Sequence, residues 1–260
     1  MTAETSASPL RAWREGDGKL LRLRLARPKA NVVDAAMMRA LDAALAEAEG
    51  DRALRAVLLD HEGPHFSFGA SVEEHLPASV AGMLAGFHAL FLRVLSYPVP
   101  VLAAVRGQCL GGGLELASAA HVLAVAPDAK LGQPEIVLGV FAPAASSLLP
   151  ERIGLAAAED LLLSGRSIDG REAHRAGLAT LVAEDPEAAA LAYYEEHLAR
   201  RSASSLRLAV AAARGDLVAR VRARLAVLER RYLEELMNTR DAVEGIEAFL
   251  AKRPPRWEDR

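Results

Sequence analysis

Residues 106–118 read RGQCLGGGLELAS, and their reading decides the fold. Three adjacent glycines are entropically costly and two usually suffice for a turn, so this backbone has to pass very close to something. The glycines follow the short strand pattern VPVLAAVRG and open an apolar helix from about Gly113, with Glu115 near its head. The first N–H groups of a helix lack intrahelical partners and carry the positive end of its dipole. A strand-to-helix junction of this kind can hold a developing negative charge, as an oxyanion hole does. A phosphate cradle fits poorly. No Lys-Ser/Thr pair follows the glycines, and Gly107, Gly111, Gly112 and Gly113 lack the dinucleotide spacing. The plainer alternative is a tight turn with no ligand.

Outward from this junction the chain alternates strand and helix. KLLRLRLARP (19–28) has period two and predicts a strand with one solvated face, ended by Pro28. Residues 35–50 take helical spacing between Asp34 as N-cap and Gly50 as stop, and LRAVLLDHEG (54–63) reads as a buried strand. A helix from about Ser79 to Ser96 aligns Leu84, His88, Phe91 and Leu95 on one face, and HVLAVAP (121–127) is a further strand. From about Ala156 the pattern turns mostly helical, including 156–165, 186–200, 203–215 and 217–238. The whole is an α/β pattern. Residues 1–18 read as a polar leader, 19–200 as the core and 201–260 as a helical C-terminal region.

Composition narrows the function. With 52% hydrophobic residues, 25% charged and a net charge of -3, the chain offers no basic face for nucleic acid. Its apolar stretches are interrupted well before the roughly 20 residues that span a bilayer, so no membrane segment is expected. Cys109 is the only cysteine, which excludes an intramolecular disulfide and a cysteine-pair zinc site and suits a reducing cytoplasm. The histidines form no i, i+4 pair on a helix, so no metal site is expected. Ser67, Ser71, Ser146 and Ser147 lack a nucleophile elbow.

Three features remain for chemistry. FSFGAS (66–71) is a second strand-end glycine loop, and an oxyanion hole of two donors needs a second segment. Glu115 is favoured by the helix dipole by about 0.3–1 kcal/mol, so it also reads as an ordinary helix-start residue. Glu135, between Pro134 and Ile136, has no such excuse. If the two carboxylates share a site their pKa values are driven apart, giving one acid and one base for adding or removing water.

LARPKAN, FSFGAS, YPVPVLAAVRGQCLGGGLELA, AKLGQPEIVLGV, LLLSGRSIDGREAHRAGLAT and DAVEGIEAFLAKRPPRW together resemble the enoyl-CoA hydratase/isomerase, or crotonase, superfamily over nearly the whole chain. That resemblance implies a ClpP-like spiral of β-β-α repeats with a helical C-terminal trimerisation region. It implies a homo-oligomer, a trimer or a dimer of trimers, acting on an acyl-CoA with no cofactor, since coenzyme A is part of the substrate. It places the oxyanion-hole N–H groups on Ala70 and Gly112 and the two hydratase carboxylates on Glu115 and Glu135. Substrate or CoA contacts fall on Lys29, Ala30, Phe68, Gly69, Ser71, Gly111, Phe141 and Ala142.

Two departures refine it. Ser71 stands where many members carry aspartate, and FAPAASSLLP (141–150) replaces a glycine-rich stretch. Both resemble the members that hydrate a cyclic dienoyl thioester in benzoyl-CoA breakdown, and residues 141–149 are then expected to recognise the ring. The rival expectations are a general 2-enoyl-CoA hydratase or isomerase, and a non-catalytic acyl-CoA- or RNA-binding member of the superfamily.

Overall fold

The computed structural model describes residues 8–260. Its first element is a hairpin: β1 (Leu10–Glu15) pairs antiparallel with β2 (Leu20–Leu25), from Leu10 opposite Leu25 to Glu15 opposite Leu20. Gly16, Asp17 and Gly18, all at positive φ, make the turn. The expected leader 1–18 is thereby corrected: residues 10–15 are an edge strand, and residues 1–7 lie outside the described part. Only Leu10 of that strand is fully buried, which is why its pattern reads as polar.

After α1 (Ala35–Glu49), whose Asp34 cap accepts the Met37 N–H as expected, β3 (Ala56–His61) runs parallel to β2. Then come α2 (Val80–Leu95), β4 (Val101–Val105), β5 (Gln108–Leu110), α3 (Gly112–Ala119), β6 (Val122–Val125) and β7 (Lys130–Gly132). The remainder is α4 (Pro143–Ile153), α5 (Leu155–Ser164), β8 (Ser167–Ile168), α6 (Gly170–Arg175), β9 (Leu181–Val182), α7 (Pro186–Tyr193), α8 (Ala203–Glu234) and α9 (Arg240–Leu250). One sheet has the order β1-β2-β3-β4-β6-β9 and is parallel beyond the first pair; a smaller one has the order β5-β7-β8.

The helices α1 and α2 cover one face of the large sheet, while α7 and the turn after it cover the other through Ala190, Tyr194 and Leu198. That second cover overturns the expectation of a solvated face on β2. Arg22 is 2% exposed, bonded to Asp60, Glu15 and Glu187, and it lies 5.0 Å from the Trp13 ring. Acidic partners from three elements neutralise the basic row, so it can leave water.

Residues 203–234 form one helix, not two, running through Gly215. Its anchor is the buried Arg214, which donates to the carbonyls of Leu95 (3.1 Å), Ala119 (2.7 Å) and Ala120 (2.7 Å). These are the C-terminal carbonyls of α2 and α3, where a cation is favoured and orphan acceptors need a donor. Burial lowers the Arg214 pKa to about 10, so it stays charged at neutral pH. Replacing Arg214 by Leu should cost about 3 kcal/mol, read from urea unfolding, because buried carbonyls are left without a donor. Among the described residues no helix is long and apolar enough to cross a membrane.

Candidate active site

The close approach demanded by the glycines has a different partner at each position. A Cβ on Gly111 would stand 2.7 Å from Oε1 of Glu135, one on Gly112 would stand 3.0 Å from the Phe87 ring and 3.2 Å from the Ala70 nitrogen, and one on Gly113 would stand 2.7 Å from the Ser67 Cβ. A side chain at Gly113 would overlap Ser67, and one at Gly111 or Gly112 would press the Glu135 carboxylate or the Phe87 ring out of place. On the facing loop Gly69, at φ +97°, is equally constrained, since a Cβ there would lie 2.9 Å from the Leu110 carbonyl.

The two loops are pinned side by side by backbone bonds. The Ser67 N–H donates to Gln108, the Leu110 N–H donates to Ser67, and the Gly111 N–H donates to Gly132. Buried Ser67 and Asn31 brace the turn from beneath: the Ser67 hydroxyl donates to the Asn31 carbonyl (2.8 Å) and accepts the Gly69 N–H (3.0 Å). Among the described residues neither the Ala70 nor the Gly112 N–H meets an acceptor within the chain, and both residues line one cavity of ≈ 80 Å3. Two free N–H groups on converging segments suit a single oxyanion.

Glu115, on the first turn of α3, and Glu135, on a short 3-10 turn (Pro134–Leu138), line the same cavity. Burial pushes the pKa of Glu115 up, against the pull of the Ala145 N–H, 2.6 Å away at the N-terminus of α4, and that of Ala144. Burial also raises Glu135, and the charge on Glu115 raises it further. The pair therefore resists double ionisation, and the backbone N–H donors on Glu115 favour the charge there. The Gln133 amide lies 3.0 and 3.1 Å from the two Glu135 oxygens. Its oxygen can accept from the neutral acid or, turned over, its nitrogen can donate to the carboxylate, so Gln133 serves either state.

The raised pKa values carry a stability cost with a definite sign. The folded protein binds protons that the unfolded chain, with glutamates near 4.3, has already released. Stability is lost as pH rises from that value through the raised folded pKa, and is then constant. The Glu135→Gln variant should melt higher than the parent at pH 8, with the difference shrinking towards pH 4, in thermal melts across that range.

The enoyl-CoA hydratase/isomerase family model matches residues 15–260. The chain belongs to that family. Cyclohexa-1,5-dienecarbonyl-CoA hydratase of Thauera aromatica is 64% identical over 98% of this chain and 99% of the relative. A probable enoyl-CoA hydratase of Rhizobium meliloti (strain 1021) is 37% identical over 95% of this chain and 97% of its own. The solved structure of a putative enoyl-CoA hydratase from Mycobacterium avium paratuberculosis K-10 superposes with TM-score 0.86 at 27% identity, covering 96% of this chain and 99% of the other. The helical C-terminal region and parallel sheet are those of the crotonase fold.

The crotonase site gathers most of the residues expected from sequence. Glu115, Glu135, Ala70 and Gly112 share the inner cavity with Phe68, Gly69, Gly111, Phe141 and Ala142. Ser71 lines instead an outer, apolar groove of ≈ 530 Å3 that shares Phe68, Ala70, Pro134 and Leu138 with the inner cavity and reaches Phe249 and Leu250 on α9. Lys29 and Ala30 line neither. Lys29 is exposed at φ +96°, and the Ala30 carbonyl accepts the Phe68 N–H at 2.9 Å.

Of the stretch 141–149 expected to recognise the ring, Phe141, Ala142 and Pro143 line the inner cavity. Because α4 starts at Pro143 with its N-terminus aimed at Glu115, later residues turn away, and the Ser147 hydroxyl bonds its own helix at Ala144. Tyr232, His88 and His75 were not singled out from sequence as site residues, yet all three line the inner cavity. Spacing alone gave no signal, since Tyr232 continues the apolar row of Val221, Leu225 and Leu228.

Proposed function

We propose that the chain hydrates cyclohexa-1,5-diene-1-carbonyl-CoA to 6-hydroxycyclohex-1-ene-1-carbonyl-CoA, a hydro-lyase reaction in benzoyl-CoA degradation. The observation that carries the reading is one cavity lined by a buried carboxylate, Glu115, and a half-buried one, Glu135, beside two free backbone N–H groups. The identity with the Thauera relative supports the choice of substrate.

The thioester oxygen takes the Ala70 and Gly112 N–H groups, and the coenzyme A arm follows the outer groove past Ser71. Ionised Glu115 removes a proton from water as the oxygen bonds to the β carbon. The electron pair moves onto the thioester oxygen as a dienolate, which the two N–H groups stabilise, each such donor being worth about 2.7–4 kcal/mol. Reprotonation at the far end of the diene, with Glu135 as proton source, completes a 1,4-addition. Oxidation states balance without a redox partner, so coenzyme A enters only as part of the substrate.

Phe141, Ala142 and Pro143 give the ring an apolar wall. A cytoplasmic homo-oligomer, trimer or dimer of trimers, fits the exposed Leu155, Leu163 and Leu208 on the helical part. Hydration run in deuterium oxide tests the chemistry. Deuterium should enter at the ring carbon opposite the hydroxyl-bearing one, and entry beside the hydroxyl would contradict the 1,4 course.

A further inference from the structure

In this 1,4-addition the carbon that gains oxygen and the carbon that gains hydrogen lie opposite each other across the six-membered ring. In an ordinary enoyl hydration they are neighbours, and two adjacent carboxylates reach both. Here a proton has to arrive at the far side of the ring, and the inner cavity has few groups that can bring it.

The donors can be eliminated in turn. The Ala70 and Gly112 N–H groups face the thioester oxygen. Glu115 is the ionised partner, held by backbone N–H groups at the head of α4. Two imidazoles line the cavity, but each is set as a neutral ring with its proton on Nδ1. His88 Nδ1 is bonded to Glu229 and His75 Nδ1 to the Ser71 carbonyl at 2.7 Å, and burial lowers the pKa of both. Their Nε2 atoms then carry lone pairs and no transferable proton.

One O–H remains besides Glu135. Tyr232, on α8 and 1% exposed, has a hydroxyl with no hydrogen-bond partner among the described residues. It lines the cavity that holds both carboxylates, with its ring edge-on to Phe141 at 5.2 Å between centroids. A buried hydroxyl left unpaired is costly, so its retention calls for a ligand group to meet it.

We propose that Tyr232 is a catalytic residue of the cyclic-diene hydration, its phenolic O–H delivering the proton to the ring carbon opposite the site of water attack. This rests on the hydratase reading above. The water oxygen bonds to the β carbon and its proton passes to Glu115. The dienolate pair then forms the C–H bond with the Tyr232 proton. The phenolate takes a proton from Glu135, and the proton on Glu115 passes to Glu135, so the cycle consumes one water and nothing else. The hydroxyl's own pKa is pushed up by burial, and a charge on either carboxylate pushes it further. Neutralising Glu115 in the first step lifts part of that pressure when the proton is needed.

The test is the Tyr232→Phe variant of the full-length enzyme. It removes only an unpaired hydroxyl, so it should melt no lower than the parent. On the cyclic diene kcat should fall by about 10²–10⁴ with KM changed less than about threefold. In deuterium oxide, exchange of the product hydrogen opposite the hydroxyl should slow by the same factor as kcat. A kcat within about threefold of the parent would overturn the proposal, and so would lost turnover with exchange at the parent rate. Fluorotyrosine placed at 232 gives a chemical check, since the rate should follow phenol acidity and an unchanged rate counts against proton delivery. Parent-like turnover in Tyr232→Phe beside an inactive Glu115→Gln would reject this step alone; parent-like turnover in Glu115→Gln would reject the underlying hydratase reading.

Discussion

Glu115→Gln and Glu135→Gln should each lower turnover of the cyclic dienoyl thioester by about 10²–10⁴, the range for a positioned acid or base. Their signatures should differ. In the proposed mechanism Glu115, cradled by the Ala145 and Ala144 N–H groups, is the base, so its amide replacement removes the group that takes the proton from water. Glu135 is the proton source of that mechanism, and its amide keeps a donor in the cavity but has no proton to transfer. In both variants KM should change little, because neither carboxylate binds the coenzyme A arm. The double variant should be no worse than the weaker single one, as for residues acting as one unit. Steady-state rates of the three variants check this, and near-parent turnover in both singles would remove the mechanism.

Gly111→Ala should be nearly as damaging to activity while leaving the fold in place. Gly111 sits at φ +51° and ψ -127°, a backbone conformation that side chains rarely adopt, and its added methyl would meet Oε1 of Glu135 at 2.7 Å. The strain costs about 1–3 kcal/mol, which a buried α3 can absorb. The acid cannot keep its place, and displacing a catalytic group by about 1 Å costs on the order of 10²-fold. Rates and thermal melts of the variant separate the two effects. Full activity would show that Glu135 does not depend on this glycine.

These two predictions come from the residues that were most legible in the chain. GGG followed by glutamate is a local signal: strand end, glycines and first helical turn are contiguous, so close approach and charge at a helix head can be read without the fold. Glu135 was legible because a carboxylate between proline and an apolar run has no comfortable local reading. Helix α1 carried signals at both ends, and both hold.

What failed depended on distant contacts. The hairpin strand at residues 10–15 looked polar because it lies at a sheet edge, where only Leu10 needs burial. Arg22 and Arg24 looked solvated because their partners Asp60 and Glu187 come from elsewhere in the chain. Ser146 and Ser147 looked like ring contacts because the sequence does not reveal which way α4 points. Tyr232 kept the helical period of a core residue, and only the folded chain leaves its hydroxyl unpaired inside the cavity.

The central claim is that this crotonase site is built for a cyclic diene. Comparing kcat/KM for cyclohexa-1,5-diene-1-carbonyl-CoA and crotonyl-CoA on the same preparation, with products identified by mass and loss of conjugated absorbance, tests it most directly. The proposed function predicts hydration of the cyclic diene with crotonyl-CoA left largely untouched. Hydration of crotonyl-CoA alone would contradict it.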